Sequence, residues 1–125
     1  MQHLIVVAHP LEDSITMKLA RTFARELQQL GHNQKNHDLY RMRFNPVMGA
    51  HELEPRSVGH SADADVAQAQ EDVRAAAVLT MVYPLWWATM PAMMKGYIDG
   101  CLRGDSPTKP ALGSFADSWT ESAAY

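Results

Sequence analysis

Two short stretches carry the residue types that could do chemistry. His9-Pro10-Leu11-Glu12-Asp13-Ser14-Ile15-Thr16 places an imidazole, two hydroxyls and a run of backbone amides just ahead of a helical pattern. Amides at a helix start carry partial positive charge and suit a phosphate. Ser14 and Thr16 can add hydroxyl donors, and His9 a ring N–H. The competing reading is that Ser14 only caps the helix and His9 only ends a strand, and Glu12 and Asp13 count against an anion unless they point to solvent. The second stretch is Tyr83-Pro84-Leu85-Trp86-Trp87, followed by Ala88-Thr89-Met90-Pro91. Two adjacent tryptophans on a loop leaving the carboxyl end of a buried strand offer a flat surface and backbone donors to a planar cofactor. Alternatively, both rings plug a core.

Other chemistries find no support. The six histidines (His3, His9, His32, His37, His51, His60) form no i,i+4 pair and have no Cys or acidic partner at ligand spacing, so no metal site is expected. GxSxG, Walker A and GxGxxG patterns are absent. Tyr83, at a strand end, and Tyr97, on a helix, read as structural, so no catalytic acid or base is assigned.

The elements that must position these loops follow from periodicity. Leu4-Ile5-Val6-Val7-Ala8 is an unbroken aliphatic run, as in a central parallel strand buried on both faces. Asp13 and Ser14 can cap the next helix, whose apolar positions Leu19, Phe23, Leu27 and Leu30 recur at three to four residues before Gly31 stops it. Residues 32–40 are expected as a second strand, although Asn33-Gln34-Lys35-Asn36 is polar and suits only an edge. Residues 41–62 read as a long loop containing Phe44-Asn45-Pro46, Gly49, Pro55 and Gly59. Asp63 and Asp65 mark a helix start, with Val66, Ala69 and Val73 as its apolar stripe. A third strand over Ala75 or Ala76 to Val82 and a helix from Met90 or Pro91 to about Asp99 complete the pattern. The order β-α-β-loop-α-β-α predicts an α/β fold with a doubly wound parallel sheet.

At 125 residues, with 46% apolar and 20% charged residues, the chain has the length and composition of one globular domain. A net charge of −3 without a Lys/Arg cluster argues against nucleic acid. The start Met1-Gln2-His3 lacks the form of a signal peptide, and the longest apolar stretch, 75–88, is broken by Thr80 and Pro84, so no membrane span is expected. A lone Cys101 excludes an internal disulfide and fits a reducing compartment, which predicts a cytoplasmic protein.

Taken in order, three segments resemble one family. His9-Pro10 with Ser14 is the first; Asp38-Leu39-Tyr40 with Phe44-Asn45-Pro46 is the second. The third, and most specific, is Tyr83-Pro84-Leu85-Trp86-Trp87 with Met90-Pro91-Ala92 and Lys95-Gly96-Tyr97-Ile98-Asp99. Over residues 3–99 the chain is similar to the flavodoxin-like NAD(P)H:quinone oxidoreductases, the NAD(P)H dehydrogenases (quinone). The resemblance implies a flavin, FMN or FAD, with its phosphate end at His9, Ser14, Ile15 and Thr16. Its isoalloxazine edge would lie along Pro84, Leu85, Trp86 and Trp87, mostly on backbone N–H groups. It implies NADH or NADPH as co-substrate, a quinone or similar small electron acceptor, and a homodimer sharing the site. Where the family usually has Phe-Asn, this chain has Ile15-Thr16, which removes an aromatic contact and an amide. The alternatives are a non-catalytic flavin-binding electron carrier and an ancillary regulatory subunit of an ion-transport system. Against the first, the loop lacks the Thr-Gly-x-Thr phosphate cradle of flavodoxins.

The resemblance stops at Asp99. The family continues Arg-Val-(Phe or Leu)-x-Arg-Gly-Phe-Ala-Tyr, whereas this chain reads Gly100-Cys101-Leu102-Arg103-Gly104-Asp105-Ser106-Pro107-Thr108. Codons for these residues can be chosen so that reading from the third base of the Asp99 codon gives Arg-Val-Phe-Ala-Arg-Gly-Phe-Ala-Tyr. The expectation is therefore a family domain over 1–99, truncated to about three strands, and an out-of-frame, disordered tail over 100–125. With no fourth strand beside it, the run 76–82 would be an exposed, aggregation-prone edge, and activity of this chain would be doubtful.

Overall fold

The computed structural model describes residues 1–53 and 64–102. Three parallel strands form one sheet in the order β2-β1-β3: β1 (Gln2–Val7), β2 (Asn33–Asp38) and β3 (Val78–Val82). The helices are α1 (Ile15–Gln29), α2 (Ala64–Ala75) and α3 (Ala92–Cys101), with a 3₁₀ turn at Ala50–Leu53. The doubly wound α/β order expected from the sequence is present, with β1 in the centre.

β1 is central because only it can be buried on both faces. Leu4, Val6 and Ala8 face α2 and α3, joining Leu39, Phe44, Val66, Ala69, Val73, Met94, Tyr97 and Cys101 in the main core. Ile5 and Val7 face α1 and meet Ala24 and Leu27, and Met17 and Ala20, in two smaller clusters. The polar β2 holds its place by pairing with β1 residue for residue, from Gln2↔Asn33 to Val7↔Asp38. Its Gln34, Asn36 and Asp38 side chains line a groove of about 360 Å³ beneath α1. On its other face, His37 is buried and engaged at both ring nitrogens, Nδ1 by the Tyr97 hydroxyl at 2.9 Å and Nε2 by Asp72 Oδ2 at 2.9 Å. A strand with no apolar side chain is thus tied to α2 and α3 through one closed polar network.

Several boundaries differ from the sequence reading. The α1 stripe over Leu19, Phe23 and Leu30 is exposed, and only Leu27 of the four is buried. The buried face is Thr16, Met17, Ala20, Ala24 and Leu27, because small alanines let the helix lie close on the sheet. Strand β3 begins at Val78; Ala77 N–H bonds Gln2 O at 2.8 Å, where the ladder starts. β2 is shorter than residues 32–40, ending at Asp38 where the chain enters a tight turn. The 41–62 loop contains the 3₁₀ turn, and Pro55, Gly59 and Asp63 lie outside the described residues. Helix α3 runs through Gly100 and Cys101; the rest of the expected out-of-frame, disordered tail, 103–125, lies outside the described residues. Among the described residues no strand flanks β3 on its outer side, and all five of its residues are half-buried.

Gly96 in α3 is required by a close approach. A Cβ there would sit 2.3 Å from Pro46 Cβ and 2.3 Å from its carbonyl oxygen. This contact locks the Phe44-Asn45-Pro46 segment against α3, with the Phe44 ring 5.3 Å from that of Tyr97.

Candidate functional site

The first and third loops leave the sheet side by side because Val7 and Val82 are in register. Ala8 N–H extends the ladder by bonding Val82 O at 3.2 Å. The rings of His9 and Trp86 then meet edge to face, with centroids 6.0 Å apart. Two segments 77 positions apart in sequence so form one surface at the carboxyl ends of the strands, where open α/β sheets bind ligands.

In the first loop, Ser14 is the N-cap of α1, its hydroxyl oxygen accepting from Met17 N–H at 3.2 Å. Capping leaves the hydroxyl hydrogen free to donate, so the two roles considered for Ser14 coexist. Among the described residues, the Ile15 and Thr16 backbone N–H groups have no protein acceptor. The Thr16 side chain is buried and the Ile15 side chain exposed, so both offer the loop their backbones. His9 Nδ1 lies 3.0 Å from Leu11 N and 3.2 Å from Leu11 O. With its hydrogen on Nε2 the ring accepts from that N–H at Nδ1 and leaves Nε2–H free to donate; with a hydrogen on Nδ1 it donates to the Leu11 carbonyl instead. Glu12 is paired with Arg21 at 3.1 Å and Asp13 with Lys18 at 2.9 Å, which neutralises the two acidic residues beside the loop.

In the third loop, Trp86 N–H bonds Thr89 O at 2.9 Å, and Thr89 N–H returns to Trp86 O at 3.2 Å. The two residues between them have positive φ, 54° at Trp87 and 61° at Ala88. This is the pattern of a type I′ turn, which favours Asn-Gly; with side chains it costs about 1–2 kcal/mol per residue. Trp87 is 99% exposed and Trp86 41%, with Leu85 exposed beside them, so the tryptophans are not core plugs. A strained turn that holds apolar rings in solvent is a feature of binding sites. Pro84 has no N–H and that of Trp86 is already bonded within the turn, so the donors left to a ligand edge are those of Leu85 and Trp87.

Arg41, not singled out by any sequence pattern, touches the site. It follows Asp38-Leu39-Tyr40, and its guanidinium donates to His9 O at 2.8 Å and to Pro10 O at 3.2 Å. Away from the loops, burial above all, with the Asp72 carboxylate adding to it and Cys101 only once ionised, pushes the Tyr97 phenol well above its ordinary value. Tyr97 is therefore a protonated core residue, as its position on a helix suggested. Among the described residues, no three metal-ligating side chains converge and no helix is long and apolar enough to cross a membrane.

Comparison with known proteins gives this geometry a context. Residues 1–109 match the family described as having the flavodoxin-like fold. An uncharacterized NAD(P)H oxidoreductase of Haemophilus influenzae is 37% identical over 106 residues, covering 82% of this chain and 50% of that protein. The uncharacterized NAD(P)H oxidoreductase YcaK of Escherichia coli is 37% identical over 97 residues, 76% of this chain and 49% of its own. Among solved structures, the NAD(P)H:quinone oxidoreductase from Methanothermobacter marburgensis superposes with a TM-score of 0.73 at 34% identity, over 81% of this chain and 52% of that one. The chain thus spans about half the length of the curated relatives it matches.

Proposed function

This chain belongs to the family of the flavodoxin-like fold, and from that premise we propose that it carries the flavin-binding half of an NAD(P)H:quinone oxidoreductase. The observation that carries the reading is the meeting of His9 and Trp86, which joins an anion-ready helix start to an exposed aromatic turn. The residues fit a flavin mononucleotide or dinucleotide. The N–H groups of Ile15 and Thr16, the Ser14 hydroxyl and, with its hydrogen on Nε2, His9 would hold its phosphate end. Leu85 and Trp87 offer backbone donors to the ring edge, and Trp86 and Trp87 exclude water from one side of it. A bound flavin supplies hydride acceptance from NAD(P)H and two-electron delivery to a quinone. This chain's residues place and orient that group; no side chain in the described site is assigned a proton transfer. The homodimer and the cytoplasmic setting belong to the same proposal.

The test is a titration of the 125-residue chain with FMN, followed by flavin fluorescence, and then NADPH consumption with a soluble quinone. Quenching is expected, and the Trp86→Ala variant should lose most of it. A chain that quenches no flavin fluorescence up to its solubility limit overturns the proposal.

A further inference from the structure

We infer that Arg41 is a positioning residue for the first loop, holding the His9 and Pro10 carbonyls and, through the Leu11 N–H, the ring of His9, so that this ring faces the phosphate site. The inference rests on the flavin reading above. Arg41 stands on a rigid platform. After β2 the chain makes a tight turn in which Met42 N–H bonds Asp38 O at 2.8 Å and Phe44 N–H bonds Leu39 O at 3.0 Å. Leu39 and Phe44, at the two ends of that turn, are buried in the main core. The Arg41 backbone N–H is held by Asp38 Oδ1 at 3.3 Å, so the side chain starts from a fixed point.

From there the planar fork reaches two consecutive carbonyls, His9 O through Nη1 and Pro10 O through Nη2. A planar peptide whose carbonyl is fixed has its N–H fixed in the opposite direction. The Pro10 carbonyl and the Leu11 N–H belong to one such peptide, and that N–H lies against His9 Nδ1. One guanidinium therefore sets the loop backbone and, through Leu11, the ring of His9. It also covers two carbonyl oxygens whose negative ends would oppose an anion, while its Nε lies 3.7 Å from Asp38 Oδ2, which partly balances its charge. Lysine, a point charge without the fork, cannot engage both carbonyls in this way.

The experiment compares wild type, Arg41→Lys and Arg41→Ala for binding of FMN and of riboflavin, which lacks the phosphate. Hydrogen exchange at the Leu11 amide is measured alongside. Both variants should weaken FMN by about tenfold and leave riboflavin unchanged. Leu11 exchange should accelerate while the β3 amides keep their rates. Equal losses for the two ligands, unchanged FMN affinity, or unchanged Leu11 exchange would each overturn the role of Arg41 and leave the flavin reading standing. Wild-type protein that binds riboflavin as tightly as FMN also overturns it, because no phosphate is then held. Wild type that binds neither ligand removes the flavin reading and this inference together.

Discussion

The two faces of the sheet are finished to different degrees. Toward α2 and α3, eleven buried residues form one continuous core, and the polar groups within it are bonded to one another. Toward α1, burial is divided between two clusters of three, and Ile15, Leu19 and Phe23 on the helix point into solvent. Two histidines mark the contrast. His37 on β2 is bonded at both ring nitrogens, whereas His3 on β1, facing α1, is also buried but finds no partner for either nitrogen among the described residues. Stability should therefore reside mainly on the α2/α3 face, with the α1 face contributing register and the capped start of the first loop.

The most severe way to break this asymmetry is Tyr97→Ala. The side chain is fully buried, touches Phe44 and donates to or accepts from His37. Its loss should cost about 3–5 kcal/mol, and the matched change Leu19→Ala on α1 under about 0.5 kcal/mol. Urea denaturation of the two variants checks this, and comparable losses would mean the faces are equivalent. Gly96→Ala comes next. The new Cβ would overlap Pro46, part of it backbone, so Pro46 or α3 must shift. A loss of about 1–3 kcal/mol is expected, and an unchanged denaturation midpoint would show that the 44–46 segment is not locked.

How much of this was legible in the sequence depended on whether local chemistry or packing decided each feature. Ser14 as a cap and Gly31, with φ of 77°, as a helix stop are backbone requirements and were readable. The three-strand α/β order followed from the aliphatic run of β1 and the proline-bounded third strand, whereas the convergence of the two loops was implied only by the family resemblance. The buried face of α1 was not readable, because α1 carries two apolar stripes at helical spacing. The larger residues Leu19, Phe23 and Leu30 look like the better core, yet close packing on the sheet selects Ala20 and Ala24. Exposure of Trp86 and Trp87 depends on the positive φ of a turn whose residues are not turn formers. Arg41 lacked any sequence signal, since its importance lies in carbonyls thirty-one and thirty-two positions away.

A pH experiment sharpens the comparison from the polar side. Burial raises the Asp72 pKa, but hydrogen bonds from Lys35, His37 and Gln68 outweigh it, and the carboxyl is held below its ordinary 3.8. A carboxylate with a depressed folded value contributes stability above its unfolded value and loses it as pH falls through the folded one. Wild type should exceed Asp72→Asn by about 1–2 kcal/mol at neutral pH, and the gap should close below pH 3.8. A gap constant down to pH 2 would mean that the charge on Asp72 contributes nothing to the α2/α3 face.

The smallest expected effect tests the other histidine, and here the sign carries the argument. His3 pairs with Gln34 on β2 and Val78 on β3, and its ring lies edge-on to that of His32 with centroids 5.1 Å apart. Both ring nitrogens and Gln34 Oε1 are buried without partners among the described residues. Replacing an unpartnered buried polar group by an apolar one of strand-forming type removes a desolvation cost without orphaning anything. His3→Val should therefore stabilise the chain by about 0.5–1 kcal/mol. The same change at His37 would strand the Tyr97 hydroxyl and remove one of the three donors to the Asp72 carboxylate, and should destabilise by about 1–3 kcal/mol. Opposite signs for one substitution on two faces would establish that the difference lies in hydrogen-bond closure rather than in depth of burial. If His3→Val instead lowers the denaturation midpoint, His3 has a partner in solution, and the α1 face is closed more completely than these contacts indicate.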